Sequence, residues 1–176
     1  MNIGEEKMVK VLELASDDVI QKVAELYKEV WNSEDHSIKE RILKHSSYKG
    51  FRGFAILSKE DRVIGFAYGY TSLPGQFYHE LLAKEFNSEE YHDWFQDCFE
   101  FVELAVHPSY RKQGLGKMLI SKLVEGVDNS TTILTTQINN TSARSLYESL
   151  QWKVLKEPFY PSSLEHPYVI MGKELR

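Results

Sequence analysis

One cysteine, Cys98, is the whole thiol content of these 176 residues, so no disulfide can form within the chain and a reducing compartment suits it. With that single cysteine and six scattered histidines, no spacing matches a zinc site. Long apolar runs are also missing: the longest, VIGFAYGY, is far too short to span a bilayer. The opening MNIGEEKMVK has no apolar centre, so no secretory signal is expected. Positive charge is in deficit, with 21 Lys and Arg against 26 Asp and Glu and a formal net charge of −5, which implies neither nucleic acid nor an anionic membrane as partner. No repeat, low-complexity tract or linker interrupts the chain. The expectation is a soluble cytoplasmic protein of one globular domain, 1–176, whose 42% hydrophobic content suffices for a core.

Residues 8–14 alternate as a short strand, and Ser16 or Asp17 can cap a helix with Val19, Ile20, Val23, Leu26, Tyr27 and Val30 at helical spacing. A second helix is expected over 37–45. GFAIL (53–57) and RVIGFAYGY (62–70) flank the charged turn SKED and predict an antiparallel hairpin. After a long connection, 71–98, strand character returns over 99–106. A helix is expected over 112–126, a strand over 132–137, a helix over 141–150, and closing strands over 152–155 and 168–171. This mixture reads as an α/β domain, a meander followed by a β-α-β unit.

The stretch RKQGLGK, 111–117, holds two glycines beside three cations between a strand and a helix. Inside an exposed helix each glycine would cost about 1 kcal/mol relative to alanine. At a first turn they let the backbone approach a ligand while unpaired N–H groups point outward with the positive end of the helix dipole, which suits a pyrophosphate. The spacing is neither a nucleotide P-loop nor GxGxxG, and a plain surface turn remains an alternative on these residues alone.

The Arg-x-x-Gly-x-Gly pattern after a strand ending Val-His-Pro resembles the acyl-CoA loop of the GNAT superfamily of N-acyltransferases. NNTSARSLYESLQW resembles that family's Asn-x-x-Ala-x-x-Leu-Tyr helix, with Asn140, Ala143, Leu146 and Tyr147 in register. The resemblance covers 99–155. It implies a single-domain GNAT-like fold, a mixed central sheet of about six to seven strands flanked by helices, with 8–70 as N-terminal helices and hairpin, 71–98 as a substrate-side insertion and 99–155 as the acyl-CoA core. One departure stands out: Gln151-Trp152 replaces the family's Gly-Phe, and glutamine there implies a different or strained helix end.

The resemblance also implies roles. The backbone of Leu104 faces the acyl carbonyl, that of Val106 pairs with pantetheine, and Arg111, Lys112, Gln113, Gly114, Gly116 and Lys117 hold the pyrophosphate of acetyl-CoA, the co-substrate. No metal is implied. Asn140 caps its helix or binds the CoA arm. Tyr147 protonates the departing thiolate, although Ala143, Leu146, Tyr147 and Leu150 also form an ordinary packing stripe. Glu100 and Glu103 are the candidate bases. Alternation puts them on opposite faces of one strand, and the family pattern favours Glu100; an ordinary paired or solvated acid is the alternative for each. A buried Glu103 needs a partner. His107 reads as a strand-end residue.

Connection 71–98 contains Phe77, Tyr78, Phe86, Tyr91, Trp94 and Phe95, and a helix is expected over 88–98 with Tyr91, Trp94, Phe95 and Cys98 inward. From Glu85 to Glu103 there are seven acids and no Lys or Arg. These features read either as an acidic, aromatic-lined approach for a cationic amine or as a solvated helix face over an aromatic core. The expected activity is transfer of acetyl from acetyl-CoA to a primary amine, with a small-molecule acceptor preferred. The alternatives are a peptide or protein N-acetyltransferase and a non-catalytic acyl-CoA-binding module. A homodimer stays open.

Overall fold

The computed structural model describes residues 9–32, 36–162 and 166–176. These described residues form seven strands and six α-helices, and hydrogen-bonded neighbours run β1-β2-β3-β4-β5-β7-β6. The chain groups into two compact units, 1–69 with 103–125 and 70–102 with 126–176.

In the first unit β1 (Lys10–Glu13) pairs antiparallel with β2 (Arg52–Leu57), which pairs with β3 (Val63–Ser72) through Arg52↔Gly69 and Phe54↔Ala67. Met8, the first residue of the expected strand 8–14, lies outside the described residues. The hairpin turn closes on Ser58, whose N–H donates to the Arg62 carbonyl at 2.8 Å while its hydroxyl accepts from the Glu60 and Arg62 N–H groups at 3.3 Å each. Helix α1 (Asp17–Trp31) starts at Ser16, whose side chain accepts from the Val19 N–H at 3.3 Å. It buries Ile20, Val23, Ala24 and Leu26, the centre of the expected stripe. Helix α2 follows at Ile38–Ser46.

The second unit is organised by β5 (Thr131–Gln137). It pairs antiparallel with β7 (Tyr168–Glu174) along its whole length, and β7 pairs with β6 (Lys153–Phe159). On its other edge β5 runs parallel to β4 (Cys98–Val106) for three pairs ending at Glu100↔Ile133.

The long connection over 71–98 is itself in large part helical. It folds as α3 (Phe77–Ala83) and α4 (Ser88–Trp94). At seven residues each, neither is long enough to display a helical period. A reciprocal capping box, Asn87 with Glu90, starts α4. The expected helix over 88–98 ends at Trp94, and Cys98 opens β4. Leu82, Phe95, Cys98, Ile133, Phe159 and Ile170 form a core against which Tyr78, Phe86, Tyr91 and Trp94 pack. The aromatic-core reading of 71–98 is therefore the one the packing supports. Phe77 alone among its six aromatics is strongly exposed, at 78%.

Helix α5 runs Leu115–Val124, shorter than the expected 112–126, because Lys112 and Gly114 take left-handed conformations at φ 62° and 82°. Helix α6 (Thr141–Ser149) begins at Asn140, whose side chain accepts from the Ala143 N–H at 3.2 Å. At its end Gln151 adopts φ 71°, the Trp152 N–H reaches the Tyr147 carbonyl at 3.0 Å, and the Gln151 N–H reaches the Glu148 carbonyl at 3.0 Å. This is a Schellman ending, and the Tyr147 and Trp152 rings 5.7 Å apart supply its apolar contact. Glutamine thus keeps the backbone shape that glycine takes without strain.

A non-glycine residue in this conformation costs about 1–2 kcal/mol, while the extra freedom of an unfolded glycine returns about 0.5–1. Gln151→Gly is expected to stabilise the protein by about 0.5–1 kcal/mol, a rise in melting temperature of roughly 1–3 °C in calorimetry. A melting temperature that stays level or falls would mean that the glutamine side chain contributes contacts that outweigh its strain.

Candidate active site

Strand β4 carries both candidate acids, and their neighbours treat them differently. Glu100 stands opposite Ile133, is 3% exposed, and accepts a hydrogen bond from the Tyr70 hydroxyl. Its Oε2 has no hydrogen-bond partner. Burial pushes this carboxyl up to about 7, and the Tyr70 bond only partly opposes it. Glu103 is partly buried and paired: the Arg41 guanidinium on α2 donates to its Oε1 at 3.0 Å. Burial raises this carboxyl to about 7 as well, with Arg41 pulling the other way. Arg41 is itself seated over the Tyr27 ring, 5.4 Å from its centroid. Arg41 supplies the partner that a buried Glu103 requires. Among the described residues Glu100 has no cation, and one of its oxygens is left over.

Between the two acids Phe101 meets Tyr147 edge-on at 6.2 Å and Trp152 at 5.9 Å. Tyr147 is the one buried residue of α6, 5% exposed, so the packing stripe and the expected site residue are the same side chain. Phe101 and Val102 lie beyond the last β4–β5 register pair. Further along β4, Leu104 and Val106 are half-buried, and the Val106 carbonyl accepts from Arg111 Nε at 3.2 Å. That bond turns Arg111 back along the strand, a local role its motif position does not suggest.

The loop that follows is exposed at Arg111, Lys112, Gln113, Gly114 and Lys117, and half-buried at Gly116. Gly114 is the N-cap of α5 and no side chain caps that helix. The first-turn N–H groups, 115–117, therefore lack partners within the helix and point away from it. A Cβ built on Gly114 would meet nothing within 4 Å, so its backbone stands in open space. The left-handed Lys112 carries strain of about 1–2 kcal/mol in the same turn. Backbone donors, open space and cations thus coincide at 111–117, an arrangement fit for an anionic group.

Cys98 is 1% exposed, and burial pushes its thiol far up. A thiolate nucleophile is not on offer there. Several acids of the 85–103 stretch have structural partners: Glu90 pairs with Lys156 at 2.8 Å, and Asp97 accepts from Asn129 and Ser130. Glu90, Asp97 and Glu103 are thus engaged by ion pairs or hydrogen bonds from other segments, while Glu85, Glu89 and Asp93 are exposed. Tyr70 and Arg41, the residues that distinguish Glu100 from Glu103, were not singled out by sequence. Their contacts are remote along the chain, and no periodicity reports them. Among the described residues no group of three or more His, Cys, Asp or Glu is placed to hold a metal ion, and no helix is long and apolar enough to cross a membrane.

The chain is 26% identical over 121 residues to a GCN5-like protein acetyltransferase of Mycobacterium tuberculosis, a match covering 64% of this chain and 59% of that protein. It therefore spans less than two thirds of that relative's length. The fold is similar to the ribosomal-protein-S18-alanine N-acetyltransferase of Escherichia coli, with a TM-score of 0.68 at 18% identity, covering 96% of this chain and 94% of the other. It is equally similar to NAA60 of Arabidopsis thaliana in complex with acetyl-CoA, with a TM-score of 0.68 at 13% identity, covering 95% and 98%. The sequence pattern of the Acetyltransferase (GNAT) family matches residues 17–152, more than half of the chain, and the protein belongs to that family.

Proposed function

We propose that this protein is an N-acetyltransferase that moves acetyl from acetyl-CoA directly to a primary amine. The observation that carries the donor is the uncapped start of α5, with its open backbone at Gly114 and its cations. In this reading the N–H groups of the loop 111–117 bind the pyrophosphate, and Arg111, Lys112 and Lys117 add charge. Leu104 and Val106 present main-chain groups to the acyl and pantetheine portions, and Asn140 starts the helix that holds Tyr147. The buried, high-pKa Cys98 supports direct transfer, since it is poorly suited to carry the acetyl group in between.

Glu100 is the favoured base. Its partner-free oxygen is available to take the proton from the amine, and a carboxyl raised to about 7 is matched to work near neutrality. Glu103 is held in an ion pair by the Arg41 guanidinium, whereas Glu100 meets only the neutral Tyr70 hydroxyl. Tyr147 gives its hydroxyl proton to the departing thiolate sulfur as the C–S bond breaks, while the amine nitrogen forms the new C–N bond and loses a proton to Glu100.

For the acceptor, a small-molecule amine is the reading carried from the sequence. A peptide or protein amine is the second reading, and two observations favour it. The aromatics of 71–98 are largely engaged in packing among themselves, and the relatives named above as acting on a stated acceptor act on proteins.

Acetyl-CoA at about 100 times its dissociation constant is expected to stabilise the parent protein by about 2.7 kcal/mol, visible as a thermal shift. Gly116→Asp places a negative charge in the first turn of α5, where it suits the helix dipole, so the unliganded melting temperature should hold while the shift disappears. No shift in the parent protein would remove the donor assignment. In a thiol-release assay against amines and peptides, kcat/KM should rise with pH through about 7 as Glu100 loses its proton. Glu100→Gln should abolish that rise and lower the rate by roughly 10²–10⁴, whereas Glu103→Gln should keep it; the reverse pattern would transfer the base to Glu103. Tyr147→Phe should reduce kcat more than acetyl-CoA affinity, and an unchanged kcat would exclude Tyr147 as the acid.

A further inference from the structure

We propose that His107 is a positioning residue for the pyrophosphate loop, holding in register the turn from which residues 111–117 start. The inference rests on the acetyl-CoA reading of that loop and assigns a task to a residue that the family motif leaves without one.

His107 is 8% exposed, and both of its ring nitrogens are engaged. Nδ1 accepts from the Ser109 N–H at 3.1 Å, which caps the 3-10 turn Pro108–Tyr110. An accepting Nδ1 puts the ring proton on Nε2 of the neutral imidazole. Nε2 lies 3.0 Å from Glu29 Oε1 on α1 and donates to it. Arg62 also approaches Nε2, at 3.2 Å, but both groups are donors, and the carboxylate they share is what joins them. Arg62 donates to both Glu29 oxygens at 2.9 Å. The hydrogen bond from His107, and then that from Arg62, hold the Glu29 carboxyl below its ordinary range.

This cluster is too exposed to serve mainly as a stability device. Glu29 and Arg62 have side chains 49% and 53% exposed, and pairs of that kind contribute about 0–1 kcal/mol. What the cluster does is fix a ring. With Nε2 tied to α1, Nδ1 can point only at the Ser109 N–H. The Tyr110 N–H closes on the His107 carbonyl at 2.9 Å, and the Tyr110 ring meets the imidazole edge-on at 5.8 Å. The next residue, Arg111, is turned back onto the Val106 carbonyl. The chain then enters the left-handed Lys112, a conformation that persists only where its surroundings determine it. His107 and Arg111 brace the approach to that strained residue, which presents the N–H groups of the loop.

Two isosteres separate the functions of the two nitrogens. His107→Asn places Oδ1 where Nδ1 sits, keeping the cap and losing the tie to Glu29. His107→Gln places its amide nitrogen near Nε2, keeping the tie and losing the cap. Acetyl-CoA affinity by calorimetry and steady-state kinetics would be measured for the parent protein and both variants. The expected result is a Kd and KM for acetyl-CoA raised about fivefold in His107→Gln, the equivalent of one lost cap. The kcat at saturation and the KM for the amine should be retained, and His107→Asn, which keeps the cap and loses the tie that steadies it, should bind acetyl-CoA more weakly than the parent protein but better than the Gln variant. A His107→Gln protein that binds acetyl-CoA as the parent does would overturn the inference, as would an Asn variant that loses as much as the Gln variant. If the Gln variant fails to fold, an Asn variant whose acetyl-CoA binding is weakened about fivefold or more, as much as a lost cap, would also overturn it. A parent protein that binds no acetyl-CoA would instead bring down the donor reading, and this inference with it.

Discussion

Strand β4 has to accommodate two carboxyl groups within four residues, and it does so in two chemically different ways. Glu103 receives a guanidinium, whose charge-assisted hydrogen bond offsets part of the cost of its burial. Glu100 receives only a phenol and retains an oxygen without a partner, an arrangement that costs folding free energy in its ionised form. Its raised pKa therefore opposes stability as pH climbs: below the unfolded value both states are protonated, and between about 4.5 and 7 the unfolded chain ionises first. A group maintained at such a cost is a candidate for chemistry, and the proposed base follows from that imbalance.

A second set of costs lies in the backbone. Lys112 and Gln151 both adopt left-handed conformations that glycine would take more easily. At Lys112 the strain lies in the loop that offers backbone donors, next to a turn organised by His107. At Gln151 it lies in a helix ending that Tyr147 and Trp152 close with their rings. The altered cap was legible in the sequence because a glutamine stood where the family has glycine. The strain at Lys112 was not, since nothing in Arg-Lys-Gln announces a positive φ.

Legibility followed length and period. Helix α1 and the hairpin β2–β3 repeat their apolar residues often enough to define both the element and its buried face. Helices α3 and α4, of seven residues each, complete barely two turns, so the pattern left a lining and a core both open for their aromatics, and the packing gives the core. Helix α5 starts three residues later than the pattern predicts, because helix propensity at Lys112 and Gln113 yields to the left-handed conformations at Lys112 and Gly114. The acids of 85–103 showed their charge in the sequence, but not the Lys156, Ser130 and Arg41 groups that engage three of them.

By itself the sequence determined the family, the order of most elements, the loop at 111–117 and the two faces of β4. All of these depend on local pattern: glycine spacing, alternation and helical period act between residues close along the chain. Only the tertiary structure decided which acid acquired a cation, which nitrogen of His107 carries its proton, and what the aromatics of 71–98 pack against. Those outcomes depend on side chains brought together from remote segments. Burial and hydrogen-bond geometry, which set their protonation, exist only once the chain has folded.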